Sequence, residues 1–159
     1  TIGRADAHWL GLLTHCIDAR HYDHILEQLA GVQPVDPLLD GLHVEQGRGP
    51  LQDHAAMIRD FFSAGTLPEI FKALNGATGA AKEWADRTLA DLKTRSPMSL
   101  AITHRHIRDC RSLDLRETLI QDYRLAWRCL EAPDFAEGVR AALIDRDRAP
   151  RWSPAGLED

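Results

Sequence analysis

The residues with the chemistry to act on a substrate are eight histidines, three cysteines and several closely spaced carboxylates, so their spacing decides what they can do together. His104 and His106 are two apart, which on a helix turns them about 200° from each other and keeps them from a common ion. His21 and His24 stand at i, i+3, but no cysteine or carboxylate at ligand spacing completes a site around them. No metal is expected. Cys110 follows His106 by four residues, a spacing that on one helical face sets a thiol beside an imidazole able to take its proton. A small cysteine packed beside a core histidine near a helix end has the same spacing and is the reading adopted. Core packing likewise accounts for Cys129, next to the apolar stripe of its helix.

Glu117 with Asp122, and Asp134 with Glu137, have the look of acid/base couples. Capping explains Glu117, Asp134 and Glu137 without chemistry, because each can take up free N–H groups of a first helical turn or reach back to one. Gly47-Arg48-Gly49 and Gly76-Ala77-Thr78-Gly79 lack the lysine and the strand–loop–helix setting of a phosphate cradle. No residue of the chain is therefore assigned as catalytic, cofactor-binding or metal-binding.

The elements that carry these residues are helical. Residues 5–10 read as a short helix ended by Gly11, Leu13 to Ile17 as a short strand, and His21 to Ala30 as a helix with Tyr22, Ile25, Leu26 and Leu29 at helical spacing. The stretch 32–50, with three prolines and three glycines, reads as a loop or hinge between an end-of-core segment, 1–31, and a helical region, 51–159. Leu51, Ala55, Ile58 and Phe62 then fall at i, i+4, i+7 and i+11. Thr66 to Glu69 is a capping box that opens a helix with Leu67, Ile70, Phe71 and Leu74 on one face, and Asn75-Gly76 closes it. Ala81, Trp84, Ala85, Thr88, Leu89 and Leu92 make the next stripe, with Thr78 as a candidate cap.

Ser96-Pro97 restarts the chain as cap and first helical residue, with Met98, Ala101, Ile102 and His106 following on one face. Asp114 to Glu117 is a second box, and its helix carries Leu115, Leu119, Tyr123, Ala126, Trp127 and Leu130 in phase. Asp134 to Glu137 reads as a third, with Phe135, Val139, Ala142 and Leu143 inward. After Asp145 an extended tail is expected to pack through Trp152. About seven helices and at most one short strand make this an all-α chain.

Composition narrows the partners. Nineteen basic residues are outnumbered by twenty-four acidic ones and scattered among them, so a nucleic-acid partner held by phosphate neutralisation is not expected. No apolar run approaches the roughly 18 residues of a membrane helix, and three widely spaced cysteines suit a reducing compartment. The chain opens on Thr1 with no turn or cap of its own, and is expected to begin inside a longer protein.

Three stretches carry a resemblance. Ser96-Pro97-Met98-Ser99-Leu100, then Asp122-Tyr123-Arg124-Leu125, then Asp134-Phe135-Ala136-Glu137-Gly138-Val139-Arg140-Ala141-Ala142-Leu143-Ile144-Asp145-Arg146-Asp147 with Ala149-Pro150-Arg151-Trp152 follow in the order seen in 3-hydroxyisobutyryl-CoA hydrolases. The chain thus resembles the C-terminal part of that family, in the enoyl-CoA hydratase/isomerase (crotonase) superfamily. Gly11-Leu12-Leu13-Thr14-His15 resembles the family's helix-to-strand passage at the end of its N-terminal core.

The resemblance implies a parent that hydrolyses a short branched acyl-CoA of valine breakdown, with two backbone N–H groups polarising the thioester and a carboxylate assisting attack. In such enzymes those groups belong to the N-terminal spiral, so none is carried onto this chain, which alone is expected to be inactive. Coenzyme A enters as part of the substrate, and no separate cofactor is expected. Arg140, Arg146, Arg148 and Arg151 have the reach for CoA phosphates, although solvated surface charge is the reading adopted. The resemblance further implies an acyl-CoA substrate; with the cysteine usage and the lack of a long apolar run, a bacterial cytoplasm or a mitochondrial matrix, no membrane partner and an assembly open to homo-oligomers are expected. The other readings are a hydratase or isomerase of the same superfamily, and a non-catalytic helical interaction module.

Overall fold

The computed structural model describes residues 2–31 and 33–157; Thr1, Val32, Glu158 and Asp159, which fall at the ends of the expected segments, lie outside the described residues. Its contacts divide into two compact units, residues 1–60 and 61–159. Among the described residues there are ten α-helices and no strand.

In the first unit α1 (Arg4–Trp9) packs on α4 (Pro50–Asp53), and α2 (Tyr22–Leu29) on α3 (Val35–Leu42). Gly11, at φ 72°, turns the chain after α1 in the left-handed region that glycine enters without a steric cost. Leu13 to Ile17, expected as a strand, forms none, and Thr14 lies in a bend. Its ties are single bonds: the Val44 N–H donates to the Cys16 carbonyl at 2.8 Å, and the Cys16 N–H donates to His43 Nδ1 at 3.0 Å. Within 32–50, expected as loop, α3 forms with Pro34 at its N-cap position, without a side-chain cap bond, and Pro37 in its first turn, where a missing N–H costs nothing.

The helix expected from Leu51 to Phe62 is two pieces, α4 and α5 (Ala55–Phe62), separated at His54, whose φ and ψ are −96° and 6°. Gly49 has no side chain with which to cap α4. Asp6 of α1 supplies the acceptor instead: its Oδ1 takes the N–H of Leu51 at 2.9 Å and of Gln52 at 3.3 Å, and the residue is buried.

The core of the second unit lies between α6 (Leu67–Asn75) and α7 (Lys82–Lys93), where Ile70, Leu74, Ala77, Ala85 and Leu89 are buried, with Phe61, Phe62, Phe71, Trp84 and Leu92 against them. Both stripes face where their periodicity predicts. Thr66 and Glu69 form the expected capping box, and Ser96 caps α8 (Pro97–Asp109) by accepting the Ser99 N–H at 3.0 Å. Thr78 precedes a short 3-10 turn, Gly79–Ala81, without a side-chain cap bond. α9 (Leu115–Glu131) opens on the Asp114–Glu117 box, and α10 (Pro133–Val139) passes into a turn of wider π-helix, Arg140–Ile144.

Candidate functional site

The sequence stripe of α9 does not face its own chain. Leu115, Leu119, Tyr123, Trp127 and Leu130 are 54–76% exposed, while Thr118, Gln121, Leu125 and Cys129 form the half-buried side of the helix. Leu115, Leu119, Ile120 and Tyr123, with Arg116 and Arg124 beside them, form an open apolar patch on the outward side. A five-residue apolar face on one amphipathic helix is a surface made to be covered, because each large side chain left in water forgoes about 1.5–3 kcal/mol of burial.

The expectation for α10 is corrected in the same direction. Phe135 and Leu143, predicted inward, are 50% and 67% exposed, and Ala142 is exposed too; Ala141 is the buried position. For Ala142 and Leu143 the wide turn at Arg140–Ile144 shifts the phase of the helix, which an ordinary 3.6-residue count does not anticipate, while Phe135 precedes that turn and lies on the exposed side of α10 itself. Nor does Asp134 cap α10. Ala132 takes the cap position without a side-chain bond, and the buried Asp134 carboxylate accepts from the Ser96 hydroxyl and, at 2.8 Å, from the Ser153 N–H.

These residues hold the tail as a strap. Glu137 accepts two hydrogen bonds from Arg140, at 2.8 and 2.9 Å, and one from the Arg151 N–H at 2.7 Å. Those bonds, Arg140 first and the Arg151 backbone second, hold the Glu137 carboxyl down to about 2. Arg140 also donates to Asp145 at 2.6 Å, to Asp147 at 2.7 Å and to the Ala149 carbonyl at 3.2 Å, and its carboxylate partners raise its pKa. Asp147 is lowered, chiefly by the Ala149 N–H and then by Arg140. Trp152 closes the strap as expected: its Nε1–H donates to the Thr94 carbonyl at 3.0 Å, and its ring lies 3.4 Å from where a Cβ on Gly138 would be. Arg140 is thus committed to the strap and is not a loose phosphate ligand. Arg146 donates to the Leu143 carbonyl, and Arg148 stands at φ 55° next to the strap.

His106 and Cys110 are brought together as the i, i+4 spacing allows, with Sγ 3.4 Å from Nδ1. A third member was not legible: Asp122 of α9 accepts from His106 Nε2 at 2.6 Å. Its sequence position, sixteen residues on, carries no periodic signal that would pair it with α8. In the first unit His43 meets His8 at 4.9 Å between ring centroids, the rings tilted by 39°, and His15 edge-on at 5.9 Å, while His15 Nε2 bonds Asp40 at 2.8 Å. Among the described residues no three His, Cys, Asp or Glu side chains are placed to hold a metal ion, and no helix is long and apolar enough to cross a membrane.

Comparison with known proteins places this geometry. The profile of the family described as enoyl-CoA hydratase/isomerase matches residues 1–159. The mitochondrial 3-hydroxyisobutyryl-CoA hydrolase of Rattus norvegicus is 34% identical over 97% of this chain, which spans 42% of that protein's length. The small ribosomal subunit protein mS47 of Arabidopsis thaliana is 35% identical over 94% of the chain and 39% of its own length. A crystal structure of a carnitinyl-CoA dehydratase from Mycobacterium thermoresistibile superposes with a TM-score of 0.83 and 28% identity, covering 99% of this chain and 44% of that one.

Proposed function

The chain belongs to the enoyl-CoA hydratase/isomerase family, and on that premise we propose that it is the helical C-terminal part of an acyl-CoA thioester hydrolase of the 3-hydroxyisobutyryl-CoA hydrolase type. The observation that carries this reading is the outward apolar face of α9. A helix that turns Leu115, Leu119, Tyr123, Trp127 and Leu130 to solvent suits a lid whose base is another part of the same fold. The similar dehydratase has more than half its chain outside the matched region, enough to supply such a base.

On this reading the chain contributes packing and one wall of an acyl-CoA pocket, while the groups that polarise and attack the thioester lie on the base. No catalytic, cofactor-binding or metal-binding residue is assigned to it, and it is inactive alone. The Arg140 strap fixes α10 against the tail, so that Phe135 and Leu143 stay presented to whatever covers them. Coenzyme A arrives as part of the substrate, and the working compartment is a mitochondrial matrix or a bacterial cytoplasm. The same face would also serve in a homo-oligomer.

The test is release of CoA thiol from 3-hydroxyisobutyryl-CoA, with crotonyl-CoA hydration as the rival reaction. The 159-residue chain alone is expected to turn over neither; joined to the matching N-terminal part of a hydrolase it is expected to release CoA. Turnover by the chain alone overturns the lid reading. Hydration without hydrolysis moves the assignment to the hydratase branch, which the likeness to a dehydratase supports. A second, non-catalytic reading is favoured by the relative that is a ribosomal subunit protein. Failure of both reactions in the joined protein, with a stable complex retained, would favour it.

A further inference from the structure

The outward patch of α9 is not purely apolar. Arg116 and Arg124 stand in it with Leu115, Leu119, Ile120 and Tyr123. Neighbours on one helical face are three and four positions apart, so Arg116 is bordered by Leu119 and Ile120, and Arg124 by Ile120 and Trp127. Neither guanidinium has a hydrogen-bond or ion-pair partner among the described residues. The third arginine of the helix, Arg128, lies off the patch and pairs with Glu131 at 3.4 Å. The nearby acids are already engaged: Asp114 accepts the Glu117 N–H at 2.8 Å, Glu117 accepts the Asp114 N–H at 2.9 Å, and Asp122 accepts from His106 at 2.6 Å.

The helix itself gains nothing from the two cations. Arg116 is the second residue of a 17-residue helix, where the positive end of the macrodipole disfavours a cation. Arg124 has Ile120, Gln121, Trp127 and Arg128 at its three- and four-residue neighbours, so no ion pair forms along the helix and one neighbour is a like charge. In water both charges are solvated at little cost. Once the apolar side chains around them are covered, each loses that water and needs an opposite charge in contact.

We propose that the surface covering α9, the N-terminal part of the same fold, carries two carboxylates in apolar surroundings, one opposite Arg116 and one opposite Arg124. The eight-residue separation sets them about 12 Å apart along the helix axis. The charge pairs select the partner and fix its register, while Leu115, Leu119, Ile120 and Tyr123 supply the apolar area. A phosphate backbone meets the charges but offers nothing apolar to the residues between them. An anionic membrane meets Glu117, Asp122 and Glu131 of the same helix as well, and is repelled by them. The similar dehydratase keeps more than half its chain beyond the shared region, enough for such a surface. This assignment rests on the lid reading and adds the charge that the base must carry.

The test compares the 159-residue chain with the same chain joined to the N-terminal part of a hydrolase. Acrylamide quenching of Trp127, isolated by difference against Trp127→Phe, reports whether the face is covered, and CoA release reports assembly. Joining is expected to cut the quenching constant by roughly half or more. The double reversal Arg116→Glu/Arg124→Glu is expected to restore the quenching of the chain alone and to lower CoA release by about tenfold or more, whereas Arg116→Lys/Arg124→Lys keeps both near native. In the chain alone the reversal should retain the helical circular dichroism, because both sites are exposed and an acid suits a first helical turn. If it does not fold, Arg116→Gln/Arg124→Gln is read in its place, with quenching expected between the two limits. Trp127 equally open in the joined protein and the chain alone overturns the lid reading and this inference with it. Trp127 covered in the joined protein and still covered after the reversal overturns this inference alone, as does a lysine pair as damaging as the reversal. A covered face with a raised KM for the acyl-CoA assigns the guanidinium groups to the substrate and overturns it too.

Discussion

Ser96 and Asp134, thirty-eight residues apart, are both buried and share a hydrogen bond from the serine hydroxyl to the carboxylate. Ser96 also caps α8, and Asp134 also takes the Ser153 N–H, so one pair ties the start of α8, the start of α10 and the tail. Asp134→Ala leaves the buried Ser96 hydroxyl and the Ser153 N–H of the tail without their acceptor, and is expected to cost about 1–3 kcal/mol in urea denaturation at neutral pH. Ser96→Ala removes the cap and one donor together, and is expected to cost about 1–2 kcal/mol. A loss below 0.5 kcal/mol, taken as the threshold for an ordinary surface site, in Asp134→Ala would contradict the role assigned to it.

Gly49 is required by the approach of Asp6. A Cβ there would stand 2.2 Å from Asp6 Oδ1 and 2.9 Å from its backbone nitrogen. Gly49→Ala is expected to destabilise the first unit by about 1–3 kcal/mol and to expose the α4 amides to hydrogen exchange. Adding Asp6→Ala removes the carboxylate but not the backbone contact. The pair is therefore expected to be less damaging than the sum of the singles, and strict additivity would count against the contact.

The strap should loosen in acid. Glu137 is held at about 2 in the folded chain, below its ordinary 4.5, so its contribution is complete above about 4.5 and disappears as the pH falls through about 2. Asp147 is lowered too, and acts in the same direction. The Trp152 indole N–H resonance, assigned with Trp152→Phe, is expected to move toward its free position across that window. In Glu137→Gln it should sit nearer the free position at neutral pH and respond less to acid. An identical acid profile in Glu137→Gln would refute the assignment.

The two faces of the apolar inventory should respond oppositely. Leu74→Ala, at a fully buried position, is expected to cost about 2–5 kcal/mol. Leu119→Ser and Tyr123→Ser, at outward positions of α9, are expected to change the stability of this chain by no more than about 0.5 kcal/mol. They should also lower its binding of an apolar dye and prevent rescue of CoA release by a hydrolase N-terminal part. A large loss of stability in the isolated chain would mean that the face is covered within the chain.

The amphipathic periods, the Thr66 and Asp114 boxes and the Ser96 cap were legible because each depends on residues close in sequence, where helix geometry alone sets who meets whom; Trp152 was legible only as an anchor, and its partner Thr94, fifty-eight residues away, was not. The motif from Asp134 to Trp152 likewise identified the family, since it is an ordered string of residue types. What the sequence could not convey was direction. Periodicity shows that Leu115 to Leu130 line one side of α9, but an apolar side reads the same whether it meets this chain or another surface; only the packing of α9 turned it outward. The roles of Asp134, Asp6 and Asp122 were decided the same way. Each carboxylate serves a partner on a distant element, at a distance that no local spacing encodes and that the fold alone brings to hydrogen-bond length.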